Sequence, residues 1–235
     1  MVITIHQPEH FPYEGFFQKM QASELFIILD NVNYRKNYFQ NRNKFLNKNG
    51  VEEWFTMQVE KGATSKHIKD VEVVDGPWRK KIVKKLEQNF GVNLEHIYSH
   101  DKLIDINIKS IEFIREILNI NTPMIYASKL DVEGTKSELL ANLVKRMNGT
   151  TYISGPSGKD YLDMKYFDGI EVKYFEPKVD NYYSTLYNIC KLLQIFLVIN
   201  LQHYDNYGIN LIYKVFQIPP YLYYIINYLY MFYLL

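Results

Sequence analysis

Two short apolar segments near the start of the chain each end in polar side chains, and this pattern restricts the fold more than any other feature. Residues 2–5 are typical of a buried strand and lead into His6, while residues 25–29 lead into Asp30. Ligands of open parallel sheets bind outside the carboxyl ends of the strands. We therefore expect His6 and Asp30 to meet at one edge of a sheet, although turn-forming residues alone would also explain either segment.

The rest of the chain up to residue 189 alternates candidate strands with candidate helices. Hydrophobic spacing predicts a helix from residue 78 to Gly91 and another over residues 103–118, and Thr135 and Glu138 have the spacing of a capping box before a third. Extended segments are predicted at residues 54–59, 71–74, 124–127 and 150–153. The pattern predicts an α/β fold with a mostly parallel sheet flanked by helices, Rossmann-like or nucleotidylyltransferase-like in outline. Residues 33–49 are either a loop or a hairpin.

Length, charge and cysteine content narrow the class of protein. A chain of 235 residues fits one large domain, and its formal net charge of +1 gives no argument for a nucleic-acid partner. A single cysteine, Cys190, is typical of a reducing compartment. Residues 1–5 are too short for the apolar core of a secretory signal. We therefore expect a cytoplasmic protein that acts on small molecules.

Several common catalytic and cofactor motifs are absent. The loop after residues 150–153 has Ile153 and Asp160 where a P-loop needs glycine and a hydroxyl, and no GxGxxG or GxSxG follows a strand. Residues 6–10 match the spacing HxxEH, but Pro8 and Pro12 oppose the helix that this zinc motif requires. We predict no metal site and no bound cofactor.

The same loop is nevertheless a second candidate wall of the site. Ser154 and Gly155 follow the predicted strand directly, and Tyr161 comes shortly after them. A small turn in this place can bring backbone N–H groups close to an anionic ligand. A plain connection between a strand and a helix is an equally good explanation.

Separated motifs in the first 189 residues resemble the WbqC-like family. The motifs are His6-Gln7-Pro8, residues 12–17 with Lys19, the strand that ends at Asp30, Tyr34-Arg35-Lys36, Asn41-Arg42-Asn43, and the later Tyr152-Ile153-Ser154-Gly155 and Tyr161-Leu162. The resemblance implies a role in bacterial surface-polysaccharide (O-antigen type) biosynthesis. It further implies transfer of a glycyl or similar acyl group to an amino sugar, with a nucleotide-linked sugar as partner. The alternative is a non-catalytic nucleotide or carbohydrate binder in the same pathway.

The residues of these motifs suit such chemistry. His6 is the best candidate for a general base, and Asp30 would orient it or take that role itself. Phosphate oxygens would be held by Arg42 with Lys36 or Lys19, and the loop after residue 153 would add Ser154, Gly155 and Tyr161. Sugar hydroxyls would be bound by Gln7, Asn41 and Asn43. The acyl donor stays open among an aminoacyl adenylate, an aminoacyl-tRNA and a coenzyme A thioester.

The sequence resembles the HxGH nucleotidylyltransferases less closely than it resembles the WbqC-like family. Tyr13 and Phe16 stand around Gly15 where that motif has its histidines, so we do not expect nucleotidyl transfer.

Residues 190–235 differ in composition from the rest of the chain. They are rich in Ile, Leu, Tyr and Asn, as an AT-rich gene would give in a shifted reading frame. We therefore expect a frame-shifted or degenerate segment after a WbqC-like domain of residues 1–189. Two alternatives are packing on that domain and peripheral membrane contact through an aromatic-rich helix. Residues 222–235 are shorter than the ~20 residues that span a bilayer.

Overall fold

The computed structural model describes the backbone of residues 1–201 and the side chains of residues 1–194. In chain order the elements are β1 (Val2–His6), α1 (Glu14–Gln21), β2 (Leu25–Ile28), β3 (Arg42–Leu46), β4 (Glu52–Thr56), α2 (Trp78–Phe90), α3 (Leu103–Ile117), β5 (Met124–Tyr126), α4 (Lys136–Arg146), β6 (Thr151–Ser154), α5 (Gly158–Tyr161), β7 (Glu171–Tyr174) and α6 (Thr185–Leu201). Short 3₁₀ turns connect several of them.

Five strands form a parallel sheet in the order β5-β2-β1-β6-β7, with helices on its faces, which confirms the predicted α/β class. The strands β2 and β5 lie on one side of β1, and the later strands β6 and β7 lie on its other side. In register, Thr4 of β1 lies between Phe26 of β2 and Ile153 of β6. The order of the sheet therefore reverses between β1 and β6, and such a switch point is where doubly wound sheets bind ligands.

The sheet separates two apolar layers, because successive side chains of a strand face opposite sides. In β2, Phe26 and Ile28 pack with α1, α2, α3 and the β3–β4 hairpin. Leu25 and Ile27 pack with α4 and β6 on the other side. All four residues of β2 are buried, as expected for a central strand covered on both faces. The sheet is therefore a rigid base for the groups at its carboxyl edge.

Residues 33–49 contain the first strand of an antiparallel hairpin, in which Asn43 of β3 pairs with Phe55 of β4. Residues 71–74 make isolated bridges, such as Val59 with Val73, and no regular strand, so this part of the extended prediction was wrong. Gly91 ends α2 in a left-handed conformation (φ 69°), as predicted.

The predicted helix after Thr135 is present as α4. Thr135 is its N-cap residue, but the side chain of Thr135 makes no capping hydrogen bond. The capping-box spacing therefore predicted the helix correctly, although the hydrogen bond of the capping box is not formed. At the other end of the described chain, α6 runs across the predicted boundary at residue 189. Most of the predicted C-terminal segment, from residue 202 onward, lies outside the described residues. Within residues 1–201, no helix combines the length and the apolar character needed to cross a membrane.

Candidate functional site

Two cavities open at the carboxyl edge of β1, beside the end of β6, where the sequence predicted the site. Their volumes are about 250 Å³ and about 580 Å³, and we call them the smaller and the larger cavity. Both are lined by His6, Glu9, Lys19, Tyr38, Gly155 and Ser157. Because the two cavities share these residues, groups bound in one lie next to groups bound in the other.

His6 ends β1 and its imidazole borders both cavities. Nδ1 lies 2.9 Å from the carbonyl oxygen of Gln7. A carbonyl oxygen only accepts, so Nδ1 carries the proton and Nε2 is left as an acceptor. Burial, followed by the charge of Lys19, lowers the pKa of His6 to about 3. At neutral pH His6 is therefore a neutral hydrogen-bond acceptor and a weaker base than an exposed imidazole, while its predicted role as general base stays a prediction.

Glu9 lines both cavities from the loop that follows β1. Its side chain is only 6% exposed, and its Oε2 has no hydrogen-bond partner among the described residues. Burial raises the pKa of the Glu9 carboxyl to about 7, and the charge of Lys19 limits the rise. A carboxylate with this pKa can take up or release a proton at physiological pH. Glu9 therefore has the properties of a general base or acid.

Lys19 reaches the site from the last turn of α1. Its Nζ lies 3.4 Å from the carbonyl oxygen of Ile5 in β1, and the side chain is only 5% exposed. Burial lowers the pKa of Lys19 to about 8, while the charge of Glu9 opposes this shift. At neutral pH the ammonium is mostly protonated and lies close to Glu9 and His6. The predicted site residue Lys19 is thus part of the cavity wall.

The loop that carries Glu9 is held by buried amide and hydroxyl groups. Asn107 of α3 donates to the carbonyl oxygens of Pro8 (3.2 Å) and Gln40 (2.8 Å). The hydroxyl of Ser110 accepts from the N–H of Phe11, which has a left-handed backbone (φ 42°). These bonds fix a conformation that a non-glycine residue rarely adopts. The conformation of the loop is therefore held by contacts within the protein.

Gln7 connects the same loop to the segment before β3. Its Oε1 accepts from Nε2 of Gln40 at 2.6 Å, and Oε1 of Gln40 accepts from the backbone N–H of Arg35 at 2.8 Å. The guanidinium of Arg35 lies over the ring of Tyr38, 4.5 Å from its centre. Gln7 and Arg35 line the larger cavity, and Tyr38 lines both. Gln7 therefore borders the site, as predicted, and also supports its outer wall.

The residues predicted from the Asn41-Arg42-Asn43 motif are scaffold residues of the hairpin, and with Lys36 they line neither of the two cavities in the described chain. Asn41 donates to the carbonyl oxygen of Met57 (3.1 Å), and Arg42 packs over the ring of Trp54 at 4.2 Å. Lys36 is exposed. A direct role of these side chains in substrate binding stays a prediction, and their observed contacts are with the protein.

Asp30 is buried at the end of β2, but its carboxylate faces β5. Its two oxygens accept from the backbone N–H (2.9 Å) and the hydroxyl (2.6 Å) of Ser128, in the turn that follows β5. β5 and β1 lie on opposite sides of β2. The structure therefore does not bring Asp30 and His6 into the expected pair, and the contacts of Asp30 join two strand ends.

The turn after β6 forms the opposite wall. Gly155 lines both cavities, and Tyr161, which is 56% exposed, lines the larger one. Ser154 is fully buried, and a Cβ on Gly158 would come within 2.1 Å of its Oγ. Only glycine at position 158 allows the first turn of α5 to pack on Ser154. Ser154 thus shapes the turn, while Gly155 and Tyr161 line the cavities, and their contact with a substrate stays a prediction.

His10 belongs to the core of the protein. Its Nε2 lies 3.1 Å from the hydroxyl of Tyr98, and aromatic rings of Phe11 and Phe55 pack against it. Among the described residues, no group of three or more His, Cys, Asp or Glu side chains is arranged to hold a metal ion. His6 and His10 therefore have different surroundings despite their HxxEH spacing.

We expect His10 to make the protein less stable in acid. Burial lowers its pKa in the folded state from 6.5 to about 3. Between these values the unfolded chain binds a proton that the folded chain does not, so the free energy of unfolding falls by ~1.4 kcal/mol for each pH unit below 6.5. His10→Phe should give a flatter pH dependence of the urea unfolding midpoint than the wild type. Equal slopes for both proteins would contradict this assignment.

Glu9 is not among the residues that the sequence predicted for the site. It was considered only as part of a zinc motif, although a carboxylate in a proline-bounded loop directly after the first strand is an obvious site candidate. Its position after the first strand could have identified Glu9 from sequence, since loops after the strands of a parallel sheet carry functional groups. Its raised pKa depends on burial by distant residues, which sequence does not reveal.

The fold is that of a doubly wound α/β protein, and two adjoining cavities lie at the switch point of its sheet. The chain belongs to the WbqC-like protein family, whose profile matches residues 7–189. It is 28% identical over 184 residues to the uncharacterized protein Rv1507c of Mycobacterium tuberculosis, an alignment that covers 73% of this chain and 79% of the relative. No solved structure shows significant similarity to the chain.

Proposed function

We propose that this protein is a transferase that adds a glycyl or similar acyl group to the amine of a nucleotide-linked amino sugar, in bacterial surface-polysaccharide biosynthesis. The observation that carries the proposal is the buried Glu9 carboxyl, with a pKa raised to about 7, facing two adjoining cavities. Acyl transfer to an amine needs a base for the amine proton and room for two substrates. The polysaccharide context is what the resemblance to the WbqC-like family implies, and the chain belongs to that family.

In the proposed reaction, the neutral amine of the sugar attacks the carbonyl carbon of the acyl donor. A C–N bond forms, and the bond from the carbonyl carbon to the donor oxygen or sulfur breaks, with its electron pair leaving on that atom. One amine proton passes to the Glu9 carboxylate. Nε2 of His6 accepts a hydrogen bond from the amine and orients it, and the ammonium of Lys19 stabilises the oxyanion.

The test is incubation of the protein with nucleotide-linked amino sugars and a panel of acyl donors, followed by mass spectrometry. The donors are glycyl adenylate, glycyl-tRNA and glycyl-coenzyme A, and the expected product is the nucleotide sugar with one added acyl group. A matched incubation with a nucleotide-linked sugar that has no amine should give no product. Calorimetric binding of the amino sugar without turnover under every donor would instead support a non-catalytic nucleotide or carbohydrate binder.

A further inference from the structure

The two cavities differ in the charge of the lining residues that they do not share. The larger cavity adds Arg35 and Lys136 to the shared Lys19, whereas the smaller cavity adds no basic side chain from the described part of the chain. Among the described residues, neither Arg35 nor Lys136 has an ion-pair partner. Three basic side chains around one cavity, one of them buried, suit a ligand with more than one negative charge.

The larger cavity also has an apolar side. Leu139 and Leu140 of α4 line it with Leu29 and Val32, and the exposed Tyr161 stands at its border. Its volume of about 580 Å³ lies inside the ~300–1,000 Å³ range of small-molecule sites. A ligand with a charged centre and a flat apolar end, such as a nucleoside diphosphate, matches both sides of this cavity.

The smaller cavity is walled by aromatic rings. Tyr13 and Tyr182 lie with ring centres 5.5 Å apart, and Phe39 and Phe175 complete the wall. A Cβ on Gly15 would come within 2.4 Å of the Tyr13 ring, so glycine allows this ring to pack at the start of α1. The volume of about 250 Å³ is below the usual range for a complete nucleotide site.

We propose that the nucleoside diphosphate of the amino sugar occupies the larger cavity, held by Lys19, Arg35 and Lys136, and that the acyl end of the donor enters the smaller aromatic cavity. This inference rests on the proposed function. The amine of the sugar and the carbonyl of the donor then meet at the shared wall of His6, Glu9 and Lys19. Both substrates are bound at the same time, so transfer is direct and needs no acyl-enzyme intermediate.

The test is titration calorimetry with UDP, dTDP and inorganic pyrophosphate as probes. Lys136→Ala should weaken binding of the nucleoside diphosphates and of pyrophosphate about tenfold, the usual effect of removing one charged hydrogen bond. Lys80→Ala, an exposed lysine of α2, is the matched control and should bind the probes like the wild type. Tyr182→Ala, in the smaller cavity, distinguishes the two cavities, because it should weaken binding of the probes only if they occupy the smaller one.

Three results would overturn the assignment. One is no binding of any probe by the wild type, and another is equal affinity of the wild type and Lys136→Ala. The third is weaker nucleotide binding in Tyr182→Ala with normal binding in Lys136→Ala. That result would place the nucleotide in the smaller cavity instead of the larger one. The assay contains no acyl donor. Failure of the proposed transfer reaction would therefore appear in the mass-spectrometric test and not in this one.

Discussion

Glu9→Gln is expected to reduce kcat for acyl transfer by ~10²–10⁴, the usual contribution of a general base. Glutamine keeps the size and the hydrogen-bonding ability of the side chain but cannot accept a proton. The reduction should appear in kcat, because the amide still fits the loop between β1 and α1. Single-turnover measurement with a saturating nucleotide-linked amino sugar isolates the chemical step from substrate binding.

The pH dependence of the reaction gives an independent test of the same role. Glu9 works as a base when deprotonated, and its pKa in the folded protein is raised to about 7, so kcat/KM should rise with pH through about 7. Lys19 works as a cation and its pKa is lowered to about 8, so kcat/KM should fall above about 8. The expected profile is a bell, and Glu9→Gln should lose its acid limb.

Glu14→Gln is the matched control for this variant. Glu14 begins α1 and accepts a hydrogen bond from Gln18, and it lines neither of the two site cavities in the described chain. Its replacement should leave kcat and the pH profile unchanged. Full turnover in Glu9→Gln would remove Glu9 from the mechanism and return the role of base to His6.

The position of the cavities at the carboxyl edge of the sheet was predictable from sequence because it follows from topology. Two apolar strands that end in His6 and Asp30 predicted a parallel sheet with a polar carboxyl edge, and the cavities lie at that edge. The loop after β6 was predicted from the same argument, and Gly155 lines both cavities. The cavities and this loop lie at the ends of apolar strands, and hydrophobic patterning indicates where such strands end.

The separate roles of the polar residues were not predictable, because they depend on strand order. The sequence placed Asp30 beside His6, but β5 pairs with the outer side of β2 and supplies Ser128 as the partner of Asp30. Likewise, the pKa of His6 depends on burial and on Lys19 of α1. Long-range neighbours decide these properties, and spacing along the chain gives no measure of them.

The motifs shared with the family contain residues that line the cavities and residues that contact only the protein. The motif at His6 borders the cavities, whereas Asn43 from the later motif is buried under the Glu9 loop. A motif residue can be required because a loop must keep its shape, with no contact to any ligand.

Asn43→Ala is expected to lower the free energy of unfolding by ~2–4 kcal/mol, because buried polar groups lose their partners. Nδ2 of Asn43 donates to the carbonyl oxygens of Phe11 (2.7 Å) and His10 (3.2 Å), and Oδ1 accepts from the N–H of Lys44 (2.8 Å). Phe11 has a left-handed backbone, and this conformation persists only when its surroundings fix it. Urea unfolding followed by circular dichroism measures the change.

Asn49→Ala provides the control for this prediction, because Asn49 is exposed in the turn of the same hairpin and should change stability by less than ~0.5 kcal/mol. Measurement of UDP affinity then separates the scaffold role of Asn43 from the predicted contact with a sugar. If Asn43 acts through the loop, the folded variant keeps its UDP affinity while its unfolding midpoint falls. An unchanged midpoint with weakened binding of the nucleotide-linked amino sugar would show that Asn43 contacts the substrate, since no loss of the loop's shape would then explain the weaker binding.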